Sequence, residues 1–166
     1  MEQANWIDYF KQYKLESKKG EQMKKDKTID ELEQLAQADI DAVHTYDRVL
    51  DEINDDIIRS RLDEFRKQHV DHIVALSEEI RSMGGQPPEL TKDFKGYAIE
   101  AFAAIGAAVG MKSALKALEA AERITLSYYD EMVSSKVSPS MKDLLRKHFT
   151  DEKIHLEYLE NNLKAL

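Results

Sequence analysis

Residues 32–46, Leu-Glu-Gln-Leu-Ala-Gln-Ala-Asp-Ile-Asp-Ala-Val-His-Thr-Tyr, decide the fold together with residues 115–129, Leu-Lys-Ala-Leu-Glu-Ala-Ala-Glu-Arg-Ile-Thr-Leu-Ser-Tyr-Tyr. A shift of 83 positions, from 32 to 115, lays Leu32 on Leu115, Leu35 on Leu118, Ala38 on Ala121 and Tyr46 on Tyr129 without a gap. The same register carries Leu62 onto Leu145, His72 onto His155 and Leu76 onto Leu159. Within each copy the apolar residues recur at the three- and four-residue spacing of an amphipathic helix, and no run alternates as a half-buried strand would. The chain therefore reads as all-α: a four-helix bundle made of two duplicated helical hairpins joined by a long crossover.

The boundaries follow from local signals. Thr28-Ile29-Asp30-Glu31 has the form of a capping box and predicts the start of the first long helix, which carries Leu32, Leu35, Ala36, Val43, Tyr46 and Leu50 and ends near Ile53. Asn54-Asp55-Asp56 supplies cap chemistry for a second helix with Ile58, Leu62, Phe65, His69, His72 and Leu76 inward, closed by Gly84-Gly85 and Pro87-Pro88. A crossover from about Glu89 to Gly110 leads to a third helix with Leu115, Leu118, Glu122, Leu126 and Tyr129 in phase. Ser138-Pro139 starts a fourth, whose buried side is expected to hold Leu145, Phe149, Glu152, His155, Leu156 and Leu159. Ahead of these, residues 1–28 read as an arm: a short amphipathic helix with Trp6, Ile7, Phe10 and Tyr13, then a lysine-rich linker. Residues 29–166 form the domain.

Composition narrows the chemistry. With 166 residues, 42% of them hydrophobic, there is core enough for one domain. The absence of cysteine excludes disulfide scaffolds, thiolate metal sites and cysteine nucleophiles, so any metal must be held by carboxylates and histidines. A net charge of -8 argues against a nucleic-acid partner. The N-terminal residues lack the plan of a secretory signal, so the expected location is cytoplasmic. The most apolar stretch, residues 97–110, contains Glu100 and is shorter than the roughly 20 residues that a membrane-spanning helix needs.

The repeat carries a second pattern. Asp39 falls on Glu122 and His69 on Glu152, so each half reads acid, tyrosine seven on, a ligand-type residue 30 on and histidine 33 on. At ~1.5 Å per residue the first helix climbs roughly 21 Å from Asp39 to its end, and the second descends roughly 20 Å to His69. Asp39 and His69 are therefore level, with His72 one turn further on the same face. Glu122, Glu152 and His155 repeat the construction, and six ligand-type residues converge at one height on inward stripes, where isolated charges are costly. A carboxylate from each of two helices plus a Glu-x-x-His-type pair from each of the others is the di-iron arrangement of four-helix bundles. Here the pairs are Glu152-Lys153-Ile154-His155 and His69-Val70-Asp71-His72.

On these residues, and on Asp39-Ile40-Asp41-Ala42-Val43-His44-Thr45-Tyr46, residues 29–164 resemble the ferritin-like superfamily of rubrerythrins and bacterioferritins, in particular a bacterial branch with Ala-Val-x-Thr-Tyr in the first helix. The resemblance implies a ferritin-like bundle binding metal at Asp39, His69, His72, Glu122, Glu152 and His155. Iron as a di-iron centre comes first, with manganese or zinc as alternatives. It implies Fe(II) oxidation or reduction of peroxide or dioxygen, in metal handling or oxidative stress, with a homo-oligomer as one arrangement. No haem or flavin site is recognisable. Two departures stand out: Asp39 is one methylene shorter than the usual glutamate, and His69 occupies the place of a bridging glutamate. They leave open a loosened second metal, a longer metal separation or a mononuclear site, and equally a non-catalytic stress or partner-binding bundle.

The remaining polar residues are read more modestly. Tyr46 and Tyr129 are either hydrogen-bonding partners of the ligands or ordinary core residues. His148, which falls on Phe65 in the repeat, is expected not to ligate; His44 and Asp71 are expected at the surface, and Glu119 outside the ligand set. The crossover, with Gly96, Gly106 and Gly110, is expected to pack on the bundle side, with a partner or lipid surface as the alternative.

Overall fold

The computed structural model describes residues 6–89 and 110–166. Residues 1–5 of the arm and residues 90–109 of the expected crossover lie outside the described residues, and so do the expectations attached to them. Among the described residues the chain forms four α-helices: α1 (Trp6–Val49), α2 (Asp56–Ser82), α3 (Met111–Ser134) and α4 (Pro139–Ala165), with a 3-10 turn at Leu50–Glu52. The bundle is all-α, and its helix order is that of two consecutive hairpins.

Three boundaries have the expected chemistry. The Asp55 carboxylate accepts the backbone N–H of Ile57 at 2.9 Å and of Ile58 at 3.0 Å, capping α2. At the other end Gly84 takes φ +86°, and its N–H reaches Arg81 O while Gly85 N–H reaches Ile80 O, the paired bonds of a Schellman cap. Ser138 caps α4, accepting from Met141 N–H at 3.3 Å, with Pro139 in the first turn.

The fourth boundary differs. The expected capping box at Thr28 is not used: α1 passes through it, and the Thr28 hydroxyl donates to the Lys24 carbonyl within the helix. The lysine-rich stretch is helical because it has no proline, is rich in long side chains of good helix propensity, and is laced by four-residue pairs such as Gln22–Asp26 and Lys27–Glu31. Residues 21–27 are exposed, and the first fully buried position of α1 among those described is Leu32.

α1 packs against α2 and α3, and α3 against α4, whereas α2 and α4 meet more sparingly. Alanines at 36, 38, 42, 114, 117 and 121 keep α1 and α3 slender where they meet. The apolar core is split in two. One layer gathers Tyr46, Val49, Ile53, Leu62, Phe65, Leu115, Leu118 and Leu159; the other gathers Leu32, Leu35, Leu76, Ile80, Tyr129, Met132, Met141 and Leu145. Because repeat mates Leu32 and Leu115 lie in opposite layers, the two hairpins are related end for end. Each fully buried leucine contributes roughly 1.5–3 kcal/mol, and between the two layers lies a polar stratum. Four residues expected on the inner stripes, Leu50, Ile58, Leu126 and Phe149, are only partly buried, and beside Phe149 on α4 it is His148, 3% exposed, that takes the inward place.

Candidate metal centre

Asp39 from α1, His69 and His72 from α2, Glu122 from α3, and Glu152 and His155 from α4 are all buried in that stratum. His69 stands at the middle. Its Nδ1 is 2.8 Å from Asp39 Oδ1 and 3.4 Å from Glu152 Oε1, and its Nε2 is 3.0 Å from Glu122 Oε1. His72 Nδ1 is 3.1 Å from Glu152 Oε1 and 3.6 Å from Asp39 Oδ1. His155 Nδ1 is 3.6 Å from Glu122 Oε2 and 4.0 Å from Glu152 Oε2. Two four-residue donor groups result, Asp39/His69/His72/Glu152 and His69/Glu122/Glu152/His155, with His69 and Glu152 common to both.

The residues around the six obey the repeat. Tyr46 donates its hydroxyl to Glu122 Oε1 at 2.5 Å, and its mate Tyr129 donates to Asp39 Oδ2 at 2.7 Å, so each tyrosine holds the carboxylate of the other half. Both hydroxyls are thus hydrogen-bonding partners of the carboxylates, resolving the two readings left open by sequence. His72 Nε2 lies 3.2 Å from Asp151 Oδ2, and His155 Nε2 lies 2.7 Å from Gln68 Oε1. Gln68 and Asp151 are again 83 positions apart, and sequence reading missed both although the register pointed to them. An acceptor on Nε2 holds a proton there, which leaves Nδ1 of each histidine turned inward as the nitrogen that a metal would engage once it carries no proton.

The other candidates fall outside the donor groups. His148 stacks on His72 at 3.9 Å between centroids and lies 3.2 Å from the Tyr129 hydroxyl. Glu119 pairs with Arg123, and Asp71 is exposed. His44, expected at the surface, is instead half-buried, because the α1 face that carries it also carries Ile40 and Val43 in a small apolar cluster against Ile73.

Five atoms at the middle of the stratum, His72 Nδ1, Glu122 Oε2, both carboxylate oxygens of Glu152, and His155 Nδ1, are buried and have no hydrogen-bond partner. Leaving a buried polar atom unsatisfied costs about 1–3 kcal/mol each. A cation among them would satisfy the whole set, and mixed imidazole and carboxylate donors suit iron, manganese or zinc. The residues therefore fit a metal.

The chain matches the family described as Domain of unknown function (DUF2383) over residues 27–135. It belongs to this family. The DUF2383 match takes in Asp39, His69, His72 and Glu122 and ends before α4, which supplies Glu152 and His155. No curated protein matches the chain.

Without metal, the electrostatics of this DUF2383 chain are those of protons shared among too many acids. Burial alone would depress His69, yet the charges of Glu152 and Glu122 and its contact with Asp39 hold it well above the ordinary histidine range. His72, against the same opposing burial, is lifted to about 9 by Asp39 and Glu152. Burial would raise Asp39, but His69 and His72 bring it down to about 2, and Glu122 is likewise held well below the usual carboxylate range. Glu152 is pushed well above the usual carboxylate range by burial and by the neighbouring Glu122 and Asp39, against the opposing pull of His69 and His72. His155 is lowered, chiefly by burial, and stays neutral. Burial with the nearby His72 charge pushes His148 down to about 3.

Proposed function

We propose that this DUF2383 chain is a ferritin-like metalloprotein that holds iron, or manganese in its place, at Asp39, His69, His72, Glu122, Glu152 and His155. Its activity would be oxidation of Fe(II) or reduction of peroxide or dioxygen, in metal handling or oxidative stress. The observation that carries this reading is the set of five unsatisfied buried donor atoms facing one another from three helices.

When bound, iron supplies reversible one-electron chemistry with coordination positions left over for an oxidant. The chain's own residues do the rest. The apolar layers exclude water and so strengthen every charge interaction between them. Tyr46 and Tyr129 restrain Glu122 and Asp39, while Asp151 and Gln68 orient His72 and His155 through their outer nitrogens. His69 and His72 surrender protons on loading, since ligation requires their neutral forms.

One observation favours a second reading, a non-catalytic stress or partner-binding bundle with an empty site. His69 lies within hydrogen-bond distance of Asp39 and Glu122 through its two ring nitrogens, and so acts as an internal cation. A thermal melt with and without anaerobic Fe(II) or Mn(II), followed by a peroxide and Fe(II) turnover assay, separates the two. A ligand at 100 times its Kd adds about 2.7 kcal/mol, and the metalloprotein reading predicts a clear rise in Tm that His72→Ala combined with His155→Ala abolishes. Unchanged melting with every divalent metal would leave the empty bundle.

A further inference from the structure

We propose that His69 makes the two halves of the centre unequal: one ion binds tightly at Asp39, His69, His72 and Glu152, and the position at Glu122, Glu152 and His155 binds a second only weakly. This rests on the metal-binding reading above and departs from the two equivalent positions that a carboxylate at 69 would give.

The argument is one of lone pairs. Glu152 and His69 are the residues common to both donor groups. Glu152 has two carboxylate oxygens, neither engaged in a hydrogen bond, and can serve both positions at once. A neutral imidazole has a single lone pair and can serve only one. His69 Nδ1 faces Asp39 and Glu152, and its Nε2 faces Glu122. With Nδ1 committed to the first position, Nε2 carries the proton and donates it to Glu122 Oε1, the oxygen that already accepts from Tyr46. Glu122 is left with Oε2 alone.

Donor spacing selects the tighter half. Metal bonds of ~2.0–2.2 Å in tetrahedral or octahedral arrangement put neighbouring donors about 2.8–3.6 Å apart. Around the first position the donor separations are 2.8, 3.1, 3.4 and 3.6 Å. Around the second, His155 Nδ1 stands 3.6 and 4.0 Å from its two carboxylate oxygens. The first half is thus already spaced as the donors of one ion would be, whereas the second is wider and one donor short.

The test is an anaerobic calorimetric titration of the metal-free, full-length chain with Mn(II), with bound metal counted by elemental analysis. The expected result is one tight step followed by a second at least ~10-fold weaker, the smallest loss that even an outer-shell change costs. His69→Glu restores a two-oxygen bridge and is expected to give two steps within about threefold of each other. Should that variant fold poorly, the assignment stands on two others. His155→Ala retains the tight step, and His72→Ala weakens it by ~10-fold or more. Two equal steps in the unaltered chain, or loss of the tight step in His155→Ala but not in His72→Ala, would overturn the inequality while leaving metal binding intact. No uptake of Mn(II) or Fe(II) would remove the metal-binding reading itself.

Discussion

Glu122→Gln and Glu152→Gln differ by one charge each and should nevertheless part widely in the metal-free protein. Glu122 is ionised there, accepts the Tyr46 hydroxyl at 2.5 Å and lies 3.0 Å from His69 Nε2. Its amide removes the charge facing a buried imidazolium, and breaking one partner of a buried ion pair costs about 3–5 kcal/mol. Glu152 is instead pushed well above the usual carboxylate range by burial and the neighbouring acids, so a glutamine of nearly the same shape replaces the acid of the three that burial penalises most, at an expected cost within about 1 kcal/mol. For a domain of this length each kcal/mol moves Tm by about 2–4 °C. Glu122→Gln should therefore melt about 6–20 °C lower and Glu152→Gln within about 4 °C of the parent. The assay is thermal unfolding in chelator near neutral pH. Equal losses, or a larger loss for Glu152→Gln, would refute the proton distribution. With metal added the gap should narrow, because Glu152 belongs to both donor groups and Glu122 to only the weaker one.

Metal-free stability should fall on the alkaline side. The folded pKa of His72, about 9, exceeds the ordinary 6.5, so its contribution is full below pH 6.5 and is lost as pH rises through 9. The loss is up to about 3 kcal/mol, to be read from urea unfolding at pH 6 and 9.5 in chelator, and flat stability across that range would contradict it. Tyr129→Phe removes the hydroxyl that holds Asp39 Oδ2 and should weaken Mn(II) binding ~10–100-fold in a titration; unchanged affinity would make Tyr129 an ordinary core residue. Gly84→Ala forces a side chain to φ +86° and should cost about 1 kcal/mol of stability without altering metal affinity.

The bundle was legible because the apolar period is strong and the second half repeats the first without a gap, which fixed both hairpins and brought the six candidates to one level. What the register could not show was conformation inside the stratum. Each tyrosine lies two turns from the acid of its own helix, yet each bonds the acid of the other half, because the hairpins are related end for end and α1 packs on α3. Gln68 and Asp151 escaped notice because glutamine is not among the usual metal ligands and Asp151 is one acidic residue among 32, although their shared register position marked them. The capping box misled for a different reason: a local cap signal competes with helix propagation, and the lysine-rich stretch upstream has the propensity and the four-residue side-chain pairs to carry the helix through. His44 and Phe149 stand at the edges of their stripes, where sequence period alone does not separate a half-buried residue from a surface or a core one.

Elemental analysis of the chain as isolated, beside His72→Ala combined with His155→Ala, tests the central claim most directly. The account predicts between one and two equivalents of iron or manganese per chain, retained through gel filtration with the first equivalent the harder to remove, and none in the variant. Metal-free protein that takes up neither ion after anaerobic supplementation, and matches the variant in every respect, would contradict it.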